Sequence, residues 1–212
     1  MGAWRWQLRK RVPQGIRRPL RAIRAAFWRP VLPGPLPAEL WSECRVCGSR
    51  EELVGLLPRH GRVAEIGTDT GSFARHILKA AEPRELHVID IDLSRLDHAV
   101  ATDPRVTAHR GDSATVVAGF AEASFDWIYV DGDHSLAGVS RDADAAAAKV
   151  RPGGFLVFND FAHVDLDLGT YGVHTAVMAF AARRLWPIAW MAYAPNGLYD
   201  IALRRPSPNP NS

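Results

Sequence analysis

The sequence predicts a doubly wound α/β domain: a seven-stranded, mostly parallel sheet covered by helices and closed by a C-terminal antiparallel hairpin. Three observations lead there. From residue 62 onward, short apolar runs alternate with helix-length segments, the pattern of a parallel sheet covered on both faces. The first of these runs ends in a glycine-rich turn that opens a helix. The last two flank Ala194-Pro195-Asn196-Gly197, in which Asn-Gly is a strong hairpin signal. With 212 residues, 47% hydrophobic and 23% charged, the chain can fill one core without disulfides or structural metals.

In chain order, residues 1–30 form a basic arm. They hold nine of the 26 Lys and Arg residues and no acid, leaving 17 basic against 23 acidic residues in the rest of the chain. Pro19 can open a short helix that Pro30 ends. Leu20, Ile23 and Phe27 fall on one face of it, with Arg17, Arg18, Arg21 and Arg24 around the others. Such a helix suits an anionic membrane surface, or else the arm is simply solvated or packs on its own domain or a partner chain. Residues 31–60 read as a Pro-rich linker followed by lead-in helices. The main domain is expected over 61–204, and a disordered tail over 205–212.

Within the domain, strands are expected at 62–67, 85–91, 106–111, 125–131, 154–159, 187–193 and 198–203. Helices are expected at 72–80, at 94–101 with Ser94 as its cap, from 113, at 139–150 and at 173–184. No apolar run is long enough to span a membrane, because Arg183, Arg184 and Pro187 break the best one. No apolar stretch follows the N-terminal charges as a secretory signal requires, so a cytoplasmic protein is expected, with a peripheral membrane position left open. Cys44 and Cys47 have C-x-x-C spacing, but neither a redox nor a zinc context surrounds them, and inert thiols are the expectation.

The first turn carries chemistry. In Glu65-Ile66-Gly67-Thr68-Asp69-Thr70-Gly71-Ser72, the glycines let the backbone bend tightly and approach a ligand, and the helix start offers free N–H groups to a carboxylate. The G-x-G-x-x-G fingerprint of dinucleotide sites is absent. Asp90 closes the second strand, where an acid can accept hydrogen bonds from two ribose hydroxyls. After the third strand, Asp112 and Ser113 stand where a base could be met, although Asp112 would serve equally as a helix cap. These positions share the carboxyl ends of neighbouring strands, where open sheets bind ligands.

The glycine turn and its preceding acid resemble motif I of class I S-adenosylmethionine (SAM)-dependent methyltransferases, in the version found in catechol and caffeoyl-CoA O-methyltransferases. The resemblance implies a Rossmann-like methyltransferase fold and SAM bound by Glu65, Gly67, Thr70, Gly71, Ser72, Asp90, Asp112 and Ser113. A second stretch is more specific: residues 125–135, with Asp131-Gly132-Asp133-His134-Ser135, and 149–161, with Arg151-Pro152-Gly153-Gly154 and Asn159-Asp160. It resembles the subfamily of macrocin-type sugar O-methyltransferases and cephalosporin-hydroxylase-like proteins, over roughly residues 60–203.

Asp131, Asn159 and Asp160 should converge beside the methyl donor, and three oxygen ligands with open positions suit Mg²⁺ or another divalent cation. Such an ion would acidify and orient a substrate hydroxyl. The resembling enzymes bind a metal at these positions, although Asn159 replaces their usual Glu. His134 can take the hydroxyl proton near neutral pH, with Asp131 as its catalytic partner and Asp133 as a group that orients it or faces solvent. His163 is a weaker base candidate, and Asp165 and Asp167 would line the entrance or stay solvated.

The expected activity is O-methylation of a small hydroxylated acceptor: a sugar, a glycosylated metabolite or a lipid. Two other readings compete. One is a nucleic-acid or protein methyltransferase gripping phosphates with its arm, disfavoured because strand four lacks an N-P-P-Y-like ending. The other is an inactive SAM-binding module at a membrane. A homo-oligomer is compatible with the sequence.

Overall fold

The computed structural model describes residues 34–165 and 169–207, so the basic arm, its helix, Asp167 and most of the tail lie outside the described residues. One eight-stranded sheet organises the rest, in the order β1-β9-β10-β6-β5-β2-β3-β4. Its strands are β1 (Arg45–Cys47), β2 (Arg62–Ile66), β3 (Glu85–Asp90), β4 (Val106–Arg110), β5 (Phe125–Val130), β6 (Val150–Phe161), β9 (Ile188–Ala192) and β10 (Tyr199–Arg204). A separate ribbon pairs β7 (Val164–Asp165) with β8 (Gly169–Thr170). Only β10 runs against its neighbours β6 and β9, and the hairpin joining β9 to β10 turns at Gly197, with φ 78°.

The expected doubly wound arrangement holds, with eight strands in place of seven. The addition is β1, which pairs in parallel with β9 through Arg45↔Trp190 and Cys47↔Ala192. Three residues carry no readable alternation, so the pairing arises from tertiary placement. The segment read as a linker with lead-in helices thus supplies a sheet edge, and Leu36 and Leu40 are buried in the core.

Strand alternation sends apolar side chains to two faces. Ile66, Ile128, Val130, Leu156 and Phe158 pack against α5 (Leu136–Ala147) and α6 (Val173–Arg184). Val63, Val88, Trp127, Tyr129 and Val157 pack against α1 (Arg50–Leu56) and α2 (Ser72–Ala80). Burying strands on both faces is what makes them near-continuous apolar runs. Two shorter helices, α3 (His98–Ala101) and α4 (Ser113–Ala118), flank β4 in sequence.

Caps explain the helix starts that differ from expectation. The helix expected from Ser94 begins at His98, because Asp97 accepts Ala99 N at 2.8 Å and Asp92 instead caps a 3-10 turn over Leu93–Arg95. The helix expected from 139 begins at Leu136, where Ser135 Oγ accepts Gly138 N at 3.0 Å.

Candidate functional site

The site begins where β2 turns into α2. Gly67, at φ 86°, lies so close to the end of β5 that a Cβ there would stand 2.1 Å from the Asp131 carbonyl oxygen. Gly71, at φ 76°, precedes the first residue of α2, Ser72, in the left-handed conformation that glycine adopts without strain. Thr70 accepts Asp97 N at its carbonyl, 3.0 Å away, tying the turn to the α3 cap. Glu65 is buried and accepts the Thr68 hydroxyl at 2.7 Å. Burial pushes its carboxyl up to about 8. Asp90 closes β3 with Oδ2 accepting Asp69 N at 2.9 Å and Oδ1 accepting Asp92 N at 3.0 Å, which fixes its carboxylate beside the turn.

Other expected residues are engaged locally. Asp112 caps α4 by accepting Thr115 N at 3.1 Å, and pairs with Arg141 at 3.0 Å. The Thr115 hydroxyl bond and then its amide hold the Asp112 carboxyl below the usual range. Of the two readings, the cap is the one its contacts display. Ser113 Oγ donates to the buried Asp142 at 2.6 Å. Asp133 is exposed, as one of its two readings had it, and accepts the Ser135 amide and hydroxyl at 3.0 Å each in a local turn. His163 stacks near His174, with centroids 4.1 Å apart, and burial pulls its imidazole down.

At the ends of β5 and β6, the expected catalytic pair does meet. His134 Nε2 lies 3.5 Å from Asp131 Oδ1 and 3.5 Å from Asp160 Oδ2, and its ring stacks on Tyr171 at 4.6 Å. These distances exceed a hydrogen bond but fall within ion-pair range, so an imidazolium formed there would be flanked by two carboxylates. Burial, then the Asp160 charge, pushes the Asp131 carboxyl up to about 8. Asp160 itself holds φ 52°, a left-handed conformation uncommon outside glycine, at the point where β6 ends.

Sequence reasoning missed the inner layer of this site. Asn159 donates through Nδ2 to Asp131 Oδ1 at 2.9 Å, while its oxygen accepts Arg50 Nη1 at 3.3 Å. The Tyr129 hydroxyl lies 3.3 Å from the same oxygen and donates to buried Asp200, whose carboxyl burial pushes up to about 7. Arg50 also lies over the Phe73 ring, 4.6 Å from its centroid. A signal for Arg50 was present. Ser49-Arg50-Glu51-Glu52 is a capping box, in which Ser49 Oγ accepts Glu52 N at 3.1 Å and Glu52 reaches back to Gly48 N at 2.7 Å. A cation in the first helical turn opposes the helix dipole, which marks it for some other purpose. Tyr129 and Asp200 carried no such signal inside apolar strands.

That inner layer decides the metal question. A cation shared by Asp131, Asn159 and Asp160 needs three oxygens turned to one point. Asn159 presents its nitrogen to Asp131 instead, and rotating the amide would set its NH₂ against the Arg50 guanidinium. Among the described residues, no group of three or more His, Cys, Asp and Glu side chains could hold a metal ion. The described side chains lend the expected Mg²⁺ site no support, and the Asn159 amide is engaged by Asp131 and Arg50 instead. Cys44 and Cys47 are both free thiols, and burial raises the pKa of each, which keeps them neutral.

Residues 64–161, just under half of the chain, match the family model described as a methyltransferase domain. No curated protein matches the chain. Many solved structures resemble it, three of them as follows. An S-adenosylmethionine-dependent methyltransferase from Mesorhizobium loti is 16% identical, with a TM-score of 0.55 over 73% of this chain and 96% of that one. The N-methyltransferase NodS from Bradyrhizobium japonicum, in complex with S-adenosyl-L-homocysteine, is 17% identical, with a TM-score of 0.56 over 76% and 86%. An O-methyltransferase family protein from Burkholderia thailandensis is 16% identical, with a TM-score of 0.58 over 75% of this chain but 56% of its own. At these identities the likeness shows the fold.

Proposed function

From the premise that this chain is a class I SAM-dependent methyltransferase, we propose that it methylates a hydroxyl of a small molecule: a sugar, a glycosylated metabolite or a lipid. The observation that carries this reading is the position of His134 Nε2, 3.5 Å from both Asp131 and Asp160 at the carboxyl edge of the sheet. Hydroxyl methylation has one demand that a donor pocket alone does not meet. The acceptor oxygen must lose a proton as it attacks.

The Gly67–Gly71 bend and Asp90 would hold the donor, which would supply an electrophilic methyl group at the carboxyl edge of the sheet. An oxygen lone pair of the acceptor forms the new C–O bond as the C–S bond breaks and its electron pair returns to sulfur. The hydroxyl proton passes to His134 Nε2, where the Asp160 carboxylate stabilises the new charge. Burial pushes the Asp131 carboxyl up to about 8, and the arriving imidazolium beside it favours its ionised form, so the two groups share one proton between them. An amine acceptor, already nucleophilic when neutral, needs such a base less.

The test is methyl transfer from labelled SAM to a panel of hydroxylated acceptors. His134→Gln is expected to lower kcat by ~100-fold, the scale of a general base, with donor affinity nearly unchanged. Transfer confined to amines, or a His134→Gln variant as fast as wild type, would sink the reading.

A further inference from the structure

A protein cation, the Arg50 guanidinium, contacts one of the three residues expected to hold a metal. We propose that Arg50 is the resident counterion of the acceptor site, a positioning residue that occupies the electrostatic role of a divalent ion and makes donor binding independent of metal.

The argument starts from what a metal would do in this place. It would gather the oxygens at the ends of β5 and β6, offset their mutual repulsion, and hold them at fixed geometry. Here the guanidinium approaches from α1, outside the motif-bearing strands, and donates to Asn159 Oδ1 at 3.3 Å. Asn159 in turn donates to Asp131 at 2.9 Å, so the planar amide transmits the position of Arg50 to the carboxylate beside His134. Tyr129, lying against the same amide oxygen, joins Asp200 to the chain.

Two further facts fit a built site. The Arg50 head lies over Phe73, the second residue of α2, which in turn packs on Tyr129 with centroids 4.4 Å apart. Its position is therefore defined by a ring as well as by a hydrogen bond. The amide at 159 completes the logic. A carboxylate there would add a charge and accept only, whereas an amide accepts from Arg50 and donates to Asp131 at once. Asparagine and the arginine are thus complementary, and together they leave no oxygen of residue 159 facing Asp131.

The proposal does not depend on the nature of the acceptor, and its readout is cation and SAM binding to the full chain, separate from turnover. With wild type, Mn²⁺ titration is expected to show no saturable site at millimolar cation. SAM affinity by calorimetry should then differ by less than about twofold between EDTA and excess Mg²⁺. Arg50→Lys should behave likewise. The double variant Arg50→Gln/Asn159→Glu restores an oxygen ligand and removes the guanidinium, and is expected to gain Mn²⁺ binding and a Mg²⁺-dependent rise in melting temperature. Arg50→Gln alone should lose at least about fivefold in SAM affinity in EDTA, with Lys restoring most of it. Saturable Mn²⁺ binding to wild type at millimolar cation would by itself overturn the proposal, whether or not any variant folds. So would a SAM affinity that Arg50→Gln leaves unchanged, or a folded double variant indifferent to Mn²⁺.

Discussion

Glu65 illustrates how a single side chain can couple ligand chemistry to stability. Its carboxyl is buried against one hydroxyl and is pushed up to about 8, well above the ~4.3 of a glutamate in an unfolded chain. The folded chain therefore retains a proton that the unfolded chain has released. Its contribution to stability is fully present below the unfolded value and is lost as pH rises through about 8. Asp131, pushed to about 8, and Asp200, to about 7, act in the same direction. Without ligand, the melting temperature is expected to fall between about pH 5 and about pH 8, and Glu65→Gln should make that slope shallower. A variant that follows pH as steeply as wild type contradicts this account. At the same scale, legibility was uneven. Asp131, His134 and Asp160 stood in a motif and do converge, but Arg50 is drawn in from 84 positions before His134 in sequence order only by a tertiary approach, as its capping box placed it on a helix without saying what the helix faces.

Among the elements, the bend between β2 and α2 is the most constrained. Gly67→Ala would place a methyl group against the Asp131 carbonyl, 2.1 Å away, at a φ of 86°. It is expected to cost roughly 2–4 kcal/mol of stability, measured as a lower midpoint of urea unfolding, and to weaken donor binding because the end of β5 must shift. An unchanged midpoint would show that the two strand ends can separate freely. The sequence revealed this bend because glycine has a local signature. It revealed α2 and α6 for the same kind of reason, since their ends coincide with Ser72 and Arg184 as expected. The start of α3 was misread because Asp97 outcompetes Ser94 as a cap, and β1 went unseen because three residues hold no period.

For the whole molecule, the mostly parallel sheet and its closing antiparallel hairpin were legible because they follow from alternation of apolar runs with helices and from one Asn-Gly turn. That Gly67, Asp90 and Asp131 stand along one edge was legible too, since parallel strand ends in an open sheet share that edge. What composition and motif could not convey was the hydrogen-bonded chain across the edge: Arg50 from α1 donates to Asn159, Asn159 donates to Asp131, and Tyr129 donates to Asp200. The central claim remains that SAM lies over the Gly67–Gly71 bend with its ribose on Asp90. Calorimetric titration of the full chain with SAM, wild type beside Asp90→Ala, tests it most directly. The account predicts saturable binding to wild type and a loss of affinity of at least about tenfold in the variant, the scale of removing a charged hydrogen-bond partner. Equal affinity for both proteins, or no heat with wild type, would contradict it.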